Sequence, residues 1–233
     1  RFGMTEREVR VIRNYVLKAD IEEMEFYEEL FDHIASSYEH RLDHTQRLEE
    51  HLSEVITPSF GGAAGIEDMV LAQKRLRRAK IYKHAAQHFF SFFTTVSGLA
   101  KSLLLITILY LLSILDNTNV FSTVSFTIFL LPAVAAYLMQ WRFKAKCRAS
   151  ELPYKTSFTN RIIFLISIML VGLFQGLPDI LSRIIYGNRF STLGYFEQYD
   201  FFILPLTFIF AIYSWVCLSL IQHRVQLKLN PNQ

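Results

Sequence analysis

The sequence predicts an all-α protein in two parts. A small cytoplasmic helical bundle is followed by a four-helix transmembrane bundle with both termini cytoplasmic. Three observations predict it. The first 88 of the 233 residues are polar and patterned at helical spacing. Four apolar runs follow, Val96 to Leu115, Val120 to Trp141, Ile162 to Ile180 and Phe201 to Ile221. A hydrocarbon core of about 30 Å takes about 20 helical residues, so each run has spanning length. Finally, Lys and Arg cluster at alternate ends of those runs, as the positive-inside rule requires.

In the polar part, Thr5-Glu6-Arg7-Glu8 is a capping box that opens a first helix, with Val9, Ile12, Val16 and Ala19 on its apolar face. Asp20-Ile21-Glu22-Glu23 reads as a second capping box. The helix after it carries Ile21, Met24, Tyr27, Phe31, Ile34 and Tyr38 at three- and four-residue steps, with Phe26 and Leu30 widening the stripe. A third helix is expected from Thr45 to Ile56, with Leu48, Leu52 and Val55 inward, broken by Pro58 and Phe60-Gly61-Gly62. A fourth starts near Gly65, shows Ile66, Met69, Val70 and Leu76, and becomes a basic lead into the membrane. The expected divisions are 1–75 for the helical domain, 76–95 for a basic and aromatic linker, and 96–233 for the spans.

Orientation follows from the charged ends. Lys74, Arg75, Arg77, Arg78, Lys80 and Lys83 precede the first span, and Asp116-Asn117-Thr118-Asn119 after it has no basic residue. Arg142, Lys144, Lys146, Arg148, Lys155 and Arg161 fill the next link, against one acid, Glu151. The link before the fourth span has Arg183 and Arg189 against Asp179, Glu197 and Asp200, and the tail has Arg224 and Lys228. Pro178 is read as ending the third span, with Asp179 to Tyr186 a short amphipathic turn at the outer surface. Tyr186, Phe190, Tyr195, Phe196 and Tyr199 follow it as an interfacial aromatic belt. Pro132 and Pro205 are expected to kink the second and fourth spans. The start of the chain is charged, unlike a signal peptide, and Arg1-Phe2-Gly3 reads as an addition ahead of Met4. Cys147, in a basic loop, and Cys217, in an apolar run, do not suggest a disulfide.

Charge placement limits the partners. Residues 20–54 hold 12 acids against Arg41 and Arg47 alone, a field that repels nucleic acid and anionic lipid. Glu22, Glu25, Glu29 and Asp32 form the candidate docking surface for a protein partner. Lys101 is the one basic residue in the spans as drawn. It lies five residues past Val96, and its stem can snorkel to the cytoplasmic interface. No Asp, Glu or His sits in mid-span, where proton relays and ion-coupled transporters place them. The third span holds Gly172 and Gly176 four apart, with Gln175 beside them, a helix-packing candidate either within the bundle or in a homodimer. His33, His40, His44 and His51 are spaced 7, 4 and 7, but a helix break expected near Asp43 divides them, and no metal is assigned. His84, His88 and His223 fall near the cytoplasmic ends of the first and fourth spans. No nucleotide loop, nucleophile constellation or phosphate cradle is present, so neither a catalytic residue nor a cofactor is assigned.

One resemblance adds to this. Tyr27-Glu28-Glu29-Leu30-Phe31-Asp32-His33-Ile34, followed after a helical segment by Ser59-Phe60-Gly61-Gly62-Ala63-Ala64-Gly65-Ile66, is similar to the bacterial HAAS-type helical module. Such modules are small signalling domains often encoded beside PadR-like repressors, and related ones precede the spans of some transporter permeases. The likeness covers about residues 5–75, and its motifs are short. The membrane half departs from a full permease, which would need more spans and a large external domain. The resemblance implies signalling or assembly. The expected function is therefore a non-enzymatic regulatory or signalling protein of the bacterial inner membrane whose helical domain docks a protein partner. An accessory subunit of a transport or export complex is the alternative. A membrane enzyme acting on lipid, using a polar cleft near the three interfacial histidines, is the third.

Overall fold

The structure is a computed structural model and describes residues 4–19, 21–41, 46–114, 118–149, 155–187 and 200–223. The described elements are helices: α1 Glu6–Lys18, α2 Met24–Glu39, α3 Leu48–His51, a π turn Leu52–Ile56, α4 Thr57–Ser59, α5 Gly62–Thr94, α6 Val96–Ile114, α7 Thr118–Ala149, α8 Phe158–Tyr186 and α9 Asp200–Gln222. One isolated parallel bridge pairs Glu23 with Thr156. Three helical stretches are long and apolar enough to cross a membrane, Val96–Ile114, Val120–Ala149 and Leu204–Gln222. In α8 the apolar stretch Phe158–Leu173 is shorter.

The chain forms two compact units, residues 1–79 with 140–159, and residues 80–139 with 160–233. The polar unit thus reaches four residues beyond the expected boundary at 75 and takes in the end of α7 and the start of α8.

In the first unit, the Thr5–Glu8 capping box forms as read, and Ile12 and Val16 of α1 are buried. Asp20 of the second expected capping box lies outside the described residues. α2 starts at Met24, not directly after Asp20, with Glu23 as a cap that makes no side-chain bond. The reason is tertiary. Glu22 gives its carbonyl to the amides of Lys155 and Thr156 at 3.0 and 3.2 Å, and the Met24 amide donates to the Thr156 carbonyl at 2.8 Å. This pairing holds the backbone extended where a capping turn was expected. The buried stripe of α2 is Phe26, Tyr27, Leu30, Ile34 and Tyr38, and Phe31 is half-buried at its edge.

The third helical segment also differs from expectation. Leu48, Leu52 and Ile56 face inward, whereas Val55 is 42% exposed. The π turn widens the helix at this point. It also accommodates Pro58, which lies within α4 instead of breaking the segment. The Thr57 amide closes the π turn on the Leu52 carbonyl, and the Thr57 hydroxyl donates to the same oxygen at 2.7 Å. Gly61 and Gly62, at φ 70° and 77°, make the left-handed corner into α5, a conformation natural to glycine. α5 then runs without a break to Thr94, covering the whole expected linker. Ile66 and Val70 are buried, but Leu76 is 67% exposed and Arg77 is buried in its place. α7 likewise stays helical to Ala149, so Cys147 lies in a helix, not a loop, and is buried.

In the second unit, α5 and α6 meet at a sharp corner. The Gly98 amide donates to Thr95 Oγ1 at 3.0 Å, and the Ser102 hydroxyl donates to the Phe92 carbonyl at 3.0 Å. In a straight helix those two residues would stand about 15 Å apart. A side chain at Gly98 would place Cβ 1.9 Å from the Ser91 carbonyl oxygen, so only glycine fits there. Leu109, Phe121, Phe129, Leu170 and Phe210 make the main apolar core, and Phe92, Ile212 and Val216 a second one.

Two α9 side chains bond neighbouring helices. Tyr213 donates to the Ile166 carbonyl at 3.3 Å, and Ser214 to the Ile128 carbonyl at 2.7 Å. The second bond has a clear cause. Pro132 has no amide hydrogen for the carbonyl four residues back, which is Ile128, and in an apolar surrounding that acceptor needs another donor. Lys101 holds its ammonium 5.9 Å from the centre of the Trp215 ring, a cation–π contact. α8 continues through Pro178 to Tyr186, so the proline does not end the helix and the expected amphipathic turn belongs to it.

Candidate functional site

The residues that draw most on the chain lie at the N-terminus of α2, among the candidate docking acids. The first unit brings residues 155–159 against this end of α2, and Glu25 takes the central place. Its Oε1 accepts from the Ser157 hydroxyl at 2.6 Å and from the Thr159 amide at 3.1 Å. Its Oε2 accepts from the Phe158 amide at 2.9 Å. Glu25 is 5% exposed. Phe26 sets its ring edge-on to Phe158 at 5.4 Å and closes the apolar side of the contact.

The chemistry explains how a carboxylate can be buried there. The first amides of a helix have no partner within it, and the helix dipole favours negative charge at that end. Glu25 therefore works as an N-terminal cap for α8, supplied from α2. Burial alone would push its carboxyl up. The Ser157 hydroxyl and the Thr159 and Phe158 amides outweigh that effect and hold it below the ordinary carboxylate value.

The other docking candidates divide. Glu22 pairs with Lys155 at 3.4 Å, and both side chains are largely exposed. Glu29 accepts from Gln73 at 2.7 Å and from Arg77 at 3.3 Å. Beside them, Glu23 pairs with Lys74 at 3.0 Å. Asp32 stands exposed. The four do not form one open acidic face: Glu25 is withdrawn into the fold because only its burial satisfies the start of α8. Sequence reasoning missed Ser157, Phe158 and Thr159 as its neighbours, and Arg77 as the partner of Glu29. The one available signal was the run Thr156-Ser157-Phe158, whose hydroxyls mark a helix start.

The helix-packing candidates are placed differently from expectation. A side chain at Gly172 or Gly176 would meet nothing within 4 Å, so no described part of the chain approaches them closely. The side chain of Gln175 is outside the described residues. Close backbone approaches fall at Gly65 and Gly98 instead.

The histidines go to separate tasks. His51 is buried, bonds Ser37 at 3.0 Å and Gln46 at 3.2 Å, and meets the Tyr38 ring at 5.7 Å. Burial and the nearby Arg41 guanidinium push its pKa down. His33 packs edge-on to Phe60, and His40 bonds the Ser36 carbonyl. His44 is outside the described residues. In the second unit His84 and His88 lie 4.5 Å apart by ring centres, and His88 and His223 6.4 Å. Burial, then His88 and His223, push the His84 pKa down. Among the described residues, no three His, Cys, Asp or Glu side chains are arranged to hold a metal ion. No family model, curated protein or solved structure matches the chain.

Proposed function

We propose that this chain is a non-enzymatic regulatory protein of a bacterial inner membrane, with four spans, cytoplasmic termini and a helical domain that docks a protein partner. The observation that carries this reading is the Glu25 cap. It makes α2 of the helical domain and the first turn of α8 one bonded structure, and α8 continues as an apolar helix. A shift at the start of α8 must be taken up by α2. A domain built to pass such shifts to a partner needs this kind of joint, and a domain that merely hangs on a membrane anchor does not.

The docking surface is Asp32 with Glu22 and Glu29. The Glu22–Lys155 pair is exposed, and surface ion pairs of this sort contribute only about 0–1 kcal/mol, so a basic group of a partner can exchange for Lys155, while Glu29 keeps the buried Arg77 and offers a partner its exposed part. Glu25 is excluded from that surface by burial. The likeness of residues 5–75 to HAAS-type modules agrees with a signalling role.

Crosslinking in native membranes followed by mass spectrometry tests the reading. A soluble regulator captured on α2 supports it, and loss of that capture in Glu22→Lys/Glu29→Lys/Asp32→Lys ties it to the acids. Capture of membrane transport subunits alone selects the accessory-subunit reading. A triple variant that keeps its partner at the same affinity and salt dependence removes the acidic docking surface from the proposal.

A further inference from the structure

Within the second unit, α5, α8 and α9 enclose an open cavity of about 670 Å³. Tyr82, Ala86 and Phe90 of α5, Leu165 and Met169 of α8, and Val216 of α9 form its walls. That volume lies within the range of about 300–1,000 Å³ that holds an organic ligand. A pocket for a soluble molecule carries a few converging polar groups that orient it. Here the side chains offer two hydroxyls. That of Tyr213 already donates to the Ile166 carbonyl, and Tyr82 is at the exposed rim. Phe90, Leu165 and Met169 are exposed as well, so the cavity opens through apolar side chains.

The polar end is equally defined. Arg161 is exposed and lies four residues before Leu165, on the same face of α8 and about 6 Å along it. On α5, exposed Lys83 follows Tyr82 directly. Lys83 is the last of the basic run that begins at Lys74 in α5, and Arg161 lies in the first turn of α8. An apolar slot open on its side, with two positive charges toward one end, matches a single class of ligand.

We propose that this cavity is a binding site for one anionic phospholipid, with an acyl chain along Ala86, Leu165 and Met169 and the phosphate at Arg161 and Lys83. The inference rests on reading α8 as a span with Arg161 at its cytoplasmic end. Labelling of Arg161→Cys from each side of the membrane checks that reading separately, so failure of the span and failure of the lipid site are distinguishable.

The test uses the full chain in phosphatidylcholine vesicles with a titrated fraction of phosphatidylglycerol bearing a photoreactive acyl chain. Labelled peptides are mapped by mass spectrometry. The site predicts labelling on residues 82–90 and 165–169 that saturates at one lipid per chain. Unlabelled phosphatidylglycerol should compete and soluble glycerol phosphate should not, which separates a lipid from a free phosphate. Arg161→Gln should weaken labelling about fivefold, the size expected for one basic residue at an anionic surface. Ala86→Trp should fill the slot and abolish labelling with helical content unchanged, and Met169→Trp serves if that variant does not fold. Labelling that rises in simple proportion to the probe, that is equal for a phosphatidylcholine probe, or that survives both tryptophan variants would mean ordinary lipid solvation and would overturn the site. So would a second protein segment crosslinked into the cavity in its place.

Discussion

Replacing Glu25 is the sharpest test of the joint between α2 and α8. Glu25→Ala removes one buried carboxylate and leaves the Ser157 hydroxyl and the Phe158 and Thr159 amides without their acceptor. Leaving a buried neutral donor without its acceptor costs about 1–3 kcal/mol, and three donors are left here. Water entering the emptied space recovers some of this, so about 3 kcal/mol is the working figure. Hydrogen exchange reads it directly. Protection of the Phe158 and Thr159 amides should fall by about two powers of ten, at one power per 1.4 kcal/mol, while the core of α9 is unchanged. Glu25→Gln keeps the volume and one acceptor oxygen and should fall between the two.

The pH dependence has a fixed sign. The folded carboxyl is held below the ordinary value of 4.5, so its contribution is fully present above that value. It is lost as pH falls through the lowered native value, and Glu25→Gln should lack this acid-dependent loss. If Glu25→Ala leaves both amides as protected as in the parent, the carboxylate does not cap α8 and the argument built on it fails.

Other expectations follow from the same packing. Phe26→Ala, at a buried site, should cost about 3–5 kcal/mol and expose residues 1–79 to protease, whereas Phe31→Ala, at a half-buried site, should cost clearly less; equal sensitivity of the two would contradict the helix phase. Gly98→Leu should sharply lower the melting temperature in detergent, because its Cβ would collide with the Ser91 carbonyl, while Gly172→Ile/Gly176→Ile should melt like the parent. A Gly172→Ile/Gly176→Ile protein that changes from dimer to monomer in detergent would instead identify a dimer face. Ser214→Ala should cost about 0.6–1.7 kcal/mol, the range for bonds between membrane helices, and Ser214→Ala combined with Pro132→Ala should cost less than the sum of the two.

The sequence was informative where causes are local. Thr5 and Glu8 are three residues apart, and their capping box forms as read because nothing distant is needed for it. Three of the apolar runs were equally plain, since they form helices long and apolar enough to cross a bilayer. The misreadings lie where a remote partner decides. Glu25 looked like any other acid on an acidic helix because its donors lie 132 to 134 residues away in the chain. The same contact holds Glu22 and Glu23 extended and delays the start of α2 to Met24. Val55 and Ile56 exchanged places through a π turn, a local widening that a fixed 3.6-residue period does not contain. Gly172 and Gly176 had the spacing for close packing, but among the described residues nothing lies within 4 Å of a side chain added there, whereas Gly98 had no motif and sits in the corner where the backbones meet. Thr95, a cap three residues before Gly98, was the readable trace of that corner.

Membrane topology tests the central claim most directly. In a chain with Cys147→Ser and Cys217→Ser, single cysteines at Ser53, Asn117, Ser150, Thr192 and Gln233 can be labelled in intact cells with an impermeant reagent. Four spans with cytoplasmic termini predict labelling at 117 and 192 and protection at 53, 150 and 233 until the membrane is opened. External labelling at 150, on the chain segment that leads into the Glu25 cap, would contradict the account.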